Sequence, residues 1–219
     1  MIRLLCLIIG YCFGMIQWAY IIGKTKGIDI REHGSGNSGT TNAMRVMGTK
    51  TGIIVFFLDM LKCLAALVIV QLLFGRTYGD TTYLLKMYTM LGCVLGHDFP
   101  FYMHFRGGKG VAVLAGFVFA FHWTFAPVAV LLFFVPFLLT HYVSLGSLLV
   151  YAGVLIQLII SGQAGLFGTL TQGQLIEMYL IQAFLSGMAW YRHRANISRL
   201  LSGKESKTYL KRKTNSEIM

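Results

Sequence analysis

The feature that most limits how this chain can fold is a series of long apolar runs separated by short polar stretches. Runs of about 20 residues, such as residues 4–22, 51–74 and 143–160, are long enough to cross the ~30 Å hydrocarbon core of a bilayer as helices. Only 12% of the residues are charged, whereas soluble domains carry roughly 25%. The sequence therefore predicts an all-α fold, a polytopic membrane helical bundle.

The positive charge of the chain lies in two clusters beside these runs. The formal net charge is +11, and most Lys and Arg residues lie either in residues 24–50 or in residues 192–213. Cytoplasmic loops of membrane proteins are enriched in Lys and Arg, and anionic lipids attract them. The charge therefore indicates membrane orientation, with both clusters on the cytoplasmic side, and we expect no nucleic acid as a partner.

The number of crossings follows if all basic segments share one side of the membrane. The remaining apolar runs are residues 83–96, 111–140 and 174–191. A single helix over residues 111–140 would be roughly 45 Å long, which is too long for one crossing. We therefore divide it near His122 into crossings at residues 111–121 and 123–140, the first of them unusually short. The total becomes seven transmembrane helices, with the N-terminus outside and the C-terminus in the cytoplasm.

The polar stretch between the first two runs, residues 34–45, reads GSGNSGTTNAMR. It combines glycines, hydroxyl and amide side chains and a terminal arginine, and it contains no carboxylate. Glycines let the backbone approach a ligand closely, and consecutive N–H groups in such a loop form a concave anion site. Arg45 adds a planar cationic fork that suits phosphate. The stretch predicts a phosphate cradle at a membrane surface, with a flexible polar loop as the alternative.

Two further polar segments on the predicted cytoplasmic side have similar properties. Residues 106–110, RGGKG, combine a flexible backbone with two cations just before an apolar helix, whose N-terminus favours anions. Past the last span, a continuing helix would place His193, Asn196 and Leu200 on one stripe. The segments predict anion-binding groups on one face of the membrane; alternatively, their cations only fix the topology.

The second run carries a charged pair, Asp59 and Lys62, three residues apart on one helical face. A charge inside a span is expensive and tends to face the bundle interior or a water-filled site. Two interpretations stay open, a structural ion pair within the membrane and a pair that lines a site. No group of residues has the spacing of a metal site, so we expect neither a metal ion nor another cofactor.

Three segments of the chain, GSGNSGTTNAMR, HFRGGKG and HRANISRLLSGKE, closely resemble the signature motifs of the PlsY family. These bacterial glycerol-3-phosphate acyltransferases use acyl phosphate as donor, and the order, spacing and hydropathy match over essentially the whole chain. The resemblance implies acyl transfer to the 1-hydroxyl of sn-glycerol 3-phosphate, which gives lysophosphatidic acid and phosphate, the first step of phospholipid synthesis. It also implies a seven-helix fold with the site at the cytoplasmic surface. Departures from the usual pattern, which bear on fine substrate preference, are Ser38, Thr40, Cys63, Val113 and His141.

The resemblance carries a set of site residues onto this chain. The predicted catalytic residues are Ser35, Arg45, Lys109, His193 and Asn196. The predicted substrate-binding residues are Gly34, Gly36, Asn37, Gly39, Thr41, Asn42, Arg106, Gly107, Gly108 and Gly110. Glu205 is interpreted as structural, pairing with cations of the tail.

Acyl phosphate is a mixed anhydride, so the protein must mainly supply charge neutralisation and positioning. Our hypothesis assigns the first loop, with Ser35 and Lys109, to the donor phosphate, and Arg45, His193 and Asn196 to glycerol 3-phosphate. The reverse assignment stays open. The proton of the attacking hydroxyl goes either to the departing phosphate or to His193. A third option makes Ser35 an acyl-enzyme nucleophile.

The predicted organisation is a transmembrane acyltransferase domain over residues 1–203 and a basic cytoplasmic tail over residues 204–219. We expect a multi-pass protein of the bacterial plasma membrane, with its active site on the cytoplasmic face. The expected partners are acyl phosphate, glycerol 3-phosphate, membrane lipids and, as a candidate, the enzyme that forms acyl phosphate. The alternative from another class is a transporter or channel for phosphate esters, whose entrance the cationic loops would line.

Overall fold

The structure is a computed structural model that describes residues 1–209, and within them it is helical with no β-strand. Its α-helices are α1 (Ile2–Gly14), α2 (Trp18–Thr25), α3 (Thr40–Met47), α4 (Thr49–Tyr78), α5 (Thr82–Asp98), α6 (Val111–Phe121), α7 (Phe125–Thr140), α8 (Val143–Gln163), α9 (Gln172–Arg192) and α10 (Arg194–Leu201). Short 3-10 helices occupy Ile30–Glu32, Gly79–Thr81 and Phe101–Met103. Residues 210–219 of the predicted tail lie outside the described residues.

The all-α expectation is confirmed, and each predicted crossing after the first corresponds to one helix, α4 to α9. Within the described residues, three helical segments are long and apolar enough to cross a membrane: Ile2–Thr25, Thr49–Met103 and Val143–Gln163. The helices α6 and α7 are apolar but shorter. At 1.5 Å per residue, α6 spans only about 16 Å. The count of seven crossings therefore stays a prediction.

The first predicted crossing is interrupted between α1 and α2, at residues 15–17. The carbonyl oxygen of Ile16, free of the helix, accepts a hydrogen bond from Lys62 Nζ at 2.6 Å. Gln17, fully buried, donates from Nε2 to the carbonyl of His97 at 2.9 Å. Lys62 of α4 thus satisfies a carbonyl of the broken backbone, as an unpaired group at this depth would be costly, and the side chain of Gln17 joins the break to α5.

The helices α1 and α5 pack with their backbones in contact. A Cβ atom added at Gly10 of α1 would lie 2.0 Å from the carbonyl oxygen of Thr89, and one at Gly92 of α5 would lie 2.0 Å from that of Leu7. Each helix repeats its glycine four residues later, at Gly14 and Gly96. Small residues at this spacing allow close helix association in lipid, where no hydrophobic force drives it.

The loops divide between the two ends of the bundle. One end, called the polar end below, gathers residues 26–48, 99–110 and 193–209, and Asn37 Nδ2 there donates to the carbonyl of Gly107 at 3.3 Å. At the opposite end Asp80 accepts from the backbone N–H and the hydroxyl of Thr169, both at 2.9 Å. The three motif segments therefore lie at the same end of the fold.

Candidate active site

Polar residues from all three motif segments line one cavity of about 180 Å³ at the polar end. The predicted catalytic residues that line it are Ser35, Arg45, Lys109, His193 and Asn196. The predicted substrate-binding residues that line it are Asn37, Gly39, Thr41, Asn42 and Gly110. Those that do not line it are Gly34, Gly36, Arg106, Gly107 and Gly108. Apolar side chains, among them Phe56 and Phe133, complete the wall.

Asn42 holds the loop that precedes α3. Its Oδ1 accepts a hydrogen bond from the backbone N–H of Ser35 at 2.8 Å, and its Nδ2 donates to the carbonyls of Ile30 at 3.2 Å and His33 at 2.9 Å. Gly34 has φ of 62°, and a Cβ atom there would lie 2.2 Å from Asn42 Oδ1. The loop therefore requires glycine at this position and the buried amide of Asn42 behind it.

The helix α3 begins at the cavity. Gly39 is its N-cap, and the first-turn residues Thr40, Thr41 and Asn42 line the cavity. First-turn N–H groups have no acceptor within a helix, so this N-terminus favours an anion. Arg45 lies one turn further along, is exposed, and makes no ion pair or hydrogen bond with residues 1–209. The helix terminus and the cation, together called the first anion cradle, have the geometry and charge that suit an anion.

The helix α6 begins at the same cavity and forms the second anion cradle. Gly110 is its N-cap in the left-handed conformation, with φ of 71°. Lys109, directly before it, places Nζ 2.5 Å from Asn196 Oδ1. Burial, together with the nearby guanidinium of Arg192, lowers the pKa of Lys109 to about 8. The lysine is thus a cation near neutral pH that a bound phosphate would stabilise.

His193 lies between α9 and α10 and is 4% exposed. Its Nδ1 is 2.8 Å from the carbonyl oxygen of Ala189, which can only accept, so Nδ1 carries the proton and Nε2 is left as an acceptor. Burial and the charge of Lys109 lower the pKa of His193 to about 4. The imidazole is therefore neutral at physiological pH and offers a lone pair rather than a charge.

Glu205 joins the tail to α8 and α10. It accepts hydrogen bonds from Asn196 Nδ2 at 2.6 Å, Arg199 Nε at 2.7 Å and Ser144 Oγ at 2.9 Å. Burial raises the pKa of Glu205, but these hydrogen bonds outweigh it and hold the pKa below its usual value. Because Asn196 also contacts Lys109, the carboxylate indirectly orients the lysine.

The glycines of the second segment serve the packing behind the cavity. The carbonyls of Gly107 and Gly108 accept hydrogen bonds from Arg192 Nη2 at 3.1 and 2.5 Å. A Cβ atom at Gly108 would lie 2.0 Å from His97 Nε2. Arg106 is exposed and does not line the cavity. A direct role of these residues in substrate binding stays a prediction.

Comparison with known proteins identifies the family. A family model described as glycerol-3-phosphate acyltransferase matches residues 4–203. The chain belongs to this family. Among curated relatives named glycerol-3-phosphate acyltransferase, that of Aquifex aeolicus is 36% identical, and the alignment covers 92% of this chain and 97% of the relative. That of Thermotoga petrophila is 42% identical, with 93% and 95% covered.

Solved structures support the same assignment of this acyltransferase. A crystal structure of PlsY (YgiH), an integral membrane glycerol 3-phosphate acyltransferase in its glycerol 3-phosphate form, has a TM-score of 0.80 at 34% identity. The match covers 94% of this chain and 96% of that one. The lysophosphatidic acid form of the same protein has a TM-score of 0.78. The resemblance to the PlsY family read from the motifs is confirmed.

Some residues in and behind the acyltransferase cavity were not assigned from the sequence. Arg192 does not line the cavity but binds the carbonyls of Gly107 and Gly108 behind it, and its position directly before the third motif segment was the available signal. His97 and Ser144 line the cavity without any motif that would have indicated them. Asp59 also lines the cavity, and its Oδ1 forms an ion pair with Lys62 Nζ at 2.7 Å. The pair is therefore both an ion pair within the bundle and part of the lining of a site, the two interpretations that the sequence left open.

Proposed function

We propose that this chain transfers an acyl group from acyl phosphate to the 1-hydroxyl of sn-glycerol 3-phosphate and releases lysophosphatidic acid and phosphate. Its family membership makes it a glycerol-3-phosphate acyltransferase and an integral membrane protein. The observation that supports the donor is that two helix N-termini, each with its own cation, border one cavity. Such an arrangement suits a reaction in which both reactants carry a phosphate.

The choice of donor follows from where the two charges must lie. With acyl phosphate, the phosphate leaves from the carbon that is attacked, so it must lie within a few ångströms of the acceptor and its own phosphate. A thioester donor has no phosphate at the reacting carbon and would leave one cradle unused. Bringing two dianions together in a site of low dielectric requires cations at both, which Arg45 and Lys109 supply.

The roles within the site are proposed as follows. The loop before α3, Ser35 and Lys109 hold the donor phosphate, while Arg45, His193 and Asn196 orient glycerol 3-phosphate. The 2.5 Å contact between Lys109 and Asn196 supports this arrangement, because it joins the two sets of residues. Positioning of this kind converts a bimolecular reaction into an effectively unimolecular one.

The transfer proceeds by attack of the hydroxyl oxygen on the acyl carbon. The new C–O bond forms, the bond from that carbon to the phosphate oxygen breaks, and phosphate departs with the hydroxyl proton. With its pKa lowered to about 4, His193 is a weak base, so the departing phosphate is the proposed proton acceptor. Before the attack, Nε2 of His193 accepts a hydrogen bond from the hydroxyl and orients it, and the proton leaves this hydrogen bond for the phosphate oxygen as the C–O bond forms.

The polar end is proposed to face the cytoplasm. Among residues 1–209, most Lys and Arg residues lie in the segments of that end or within two residues of them: Lys24, Lys26, Arg31, Arg45, Lys50, Arg106, Lys109, Arg192, Arg194, Arg199, Lys204 and Lys207. This distribution supports the orientation through the enrichment of Lys and Arg in cytoplasmic loops. The apolar wall near Phe56 and Phe133 provides a path for the acyl chain from the lipid.

The decisive experiment follows phosphate release by purified protein given acyl phosphate and glycerol 3-phosphate. We expect turnover with acyl phosphate and none with acyl-CoA; equal rates with the two donors would refute the proposal. Ser35→Ala, Arg45→Ala and Lys109→Ala should each lower kcat/KM at least 100-fold with unfolding temperature maintained. Lys204→Met, an exposed cation of the same end that does not line the cavity, is the matched control.

A further inference from the structure

A buried cluster of charged and polar side chains lies at the inner side of the cavity. Asp59 and Lys62 of α4 form an ion pair with 2.7 Å between Oδ1 and Nζ, and both side chains are almost fully buried. Lys62 Nζ also contacts His97 Nδ1 of α5 at 2.9 Å. Asp59 and His97 line the cavity, and Phe56 lines it one turn before Asp59 on the same face of α4. The cluster therefore borders the substrate space.

Lys62 is fully engaged within this cluster. Besides its contacts with Asp59 and His97, Nζ donates to the carbonyl of Ile16 at 2.6 Å. An ammonium group has three N–H donors, so none remains for a substrate phosphate. Lys62 is thus a positioning residue, and Asp59 is the member of the cluster with capacity for a ligand.

Among residues 1–209 two carboxylates line the cavity, and they differ in how many hydrogen bonds they already accept. Glu205 already accepts three hydrogen bonds from side chains. Asp59 is 1% exposed; its Oδ1 is paired with Lys62 Nζ, and its Oδ2 makes no hydrogen bond with residues 1–209. A buried acceptor without a donor is costly, which indicates that a ligand completes it. A carboxylate repels phosphate and cannot bind a carbonyl oxygen, so its ligand must be an O–H or N–H group.

We propose that Asp59 accepts a hydrogen bond from the 2-hydroxyl of glycerol 3-phosphate and selects the acceptor by it. This inference rests on the proposed function, in which glycerol 3-phosphate occupies this cavity. The glycerol unit is the only part of either reactant with hydroxyl groups, and it has two. Among the acceptors with open capacity that line the cavity within residues 1–209, the strongest are the carboxylate Oδ2 of Asp59 and Nε2 of His193; the hydroxyl of Thr40, also without a partner, is a weaker acceptor. If the 1-hydroxyl donates its hydrogen bond to His193, the 2-hydroxyl is the group that donates to Asp59.

The test compares glycerol 3-phosphate with 3-hydroxypropyl phosphate, which lacks only the 2-hydroxyl. For the wild type we expect kcat/KM to be roughly 10- to 100-fold higher with glycerol 3-phosphate, the effect of one hydrogen bond to a charged group. In the double variant Asp59→Leu with Lys62→Met the ratio should fall to near 1. Replacing a buried ion pair by apolar residues of similar size commonly preserves folding, so this variant is the practical one.

The substrate ratio separates this role from a purely structural one. A structural defect would lower kcat/KM for both compounds alike and leave their ratio unchanged, which would overturn the proposal. Should the double variant be inactive with both, the shape-preserving Asp59→Asn decides, with the ratio again expected to fall. A wild-type ratio near 1 would overturn the inference by itself.

Calorimetric binding separates failure of this inference from failure of the proposed function. Both compounds are titrated into wild-type protein without any donor, and the ratio of their Kd values is expected to favour glycerol 3-phosphate by a similar factor. If acyl phosphate proves not to be the donor while this preference is present in the wild type and absent in the double variant, the role of Asp59 stands. Equal Kd values for the two compounds refute it whatever the donor is.

Discussion

The charge state of Lys109 makes a quantitative prediction about the dependence of the reaction on pH. Burial and the neighbouring Arg192 lower the pKa of Lys109 to about 8, and the cationic form is the one that binds phosphate. Raising the pH through 8 therefore removes the charge and should lower kcat/KM, which reports the free enzyme. Between pH 7 and pH 9 the cationic fraction of a group with pKa 8 falls about tenfold.

The substrates do not titrate in this range, because the second pKa of a phosphate ester is near 6. The assay is phosphate release at low acyl phosphate concentration from pH 7 to 9.5, so that kcat/KM reports the enzyme before the donor phosphate reaches Lys109. Arginine in place of Lys109 does not titrate there, so Lys109→Arg should show a lower but flat kcat/KM above pH 7. A wild-type profile that is flat to pH 9, or the same decline in Lys109→Arg, would refute the assignment of the charge to this lysine.

Three further perturbations test the contacts around the site. Glu205→Gln should lower kcat/KM about 10-fold, since a neutral amide weakens charge-assisted hydrogen bonds from three donors; unchanged kinetics would contradict this. Gly110→Ala should destabilise the protein by about 1–3 kcal/mol, because φ is 71° and the methyl would lie 2.6 Å from Tyr151 Oη. Thermal unfolding in detergent measures this loss of stability, and an unchanged Tm in Gly110→Ala would contradict the predicted backbone strain. Arg192→Met should lower kcat/KM about 10-fold by releasing the second segment from α9, whereas Lys204→Met should not.

Much of the helical architecture could be predicted from hydropathy alone. The runs at residues 51–74 and 143–160 are helices that extend a few residues further, as expected when an apolar pattern marks the centre of a helix but not its end. The break at residues 15–17 could not be predicted. It depends on Lys62 reaching Ile16 from another helix, a contact that local sequence does not encode.

The part of the site that could be predicted from the sequence consists of the residues that lie in the three motif segments. Ser35, Lys109 and Asn196 lie far apart in sequence and meet in one cavity, as the shared orientation of their loops implied. The sequence could not show that Asp59 lines the cavity. An Asp and a Lys three residues apart on one helical face give the same pattern whether the pair is buried in the core or borders a cavity. Only the packing of α4 against its neighbours decides between these.

The glycine contact between α1 and α5 has a consequence for how the protein is made. The two helices are separated in sequence by α2, α3 and α4, so α1 enters the bilayer well before its partner has been synthesised. Until α5 follows, the groove at Gly10 and Gly14 has only acyl chains or insertion factors to fill it. Biogenesis therefore includes a late step in which α5 displaces these from the groove and docks against α1.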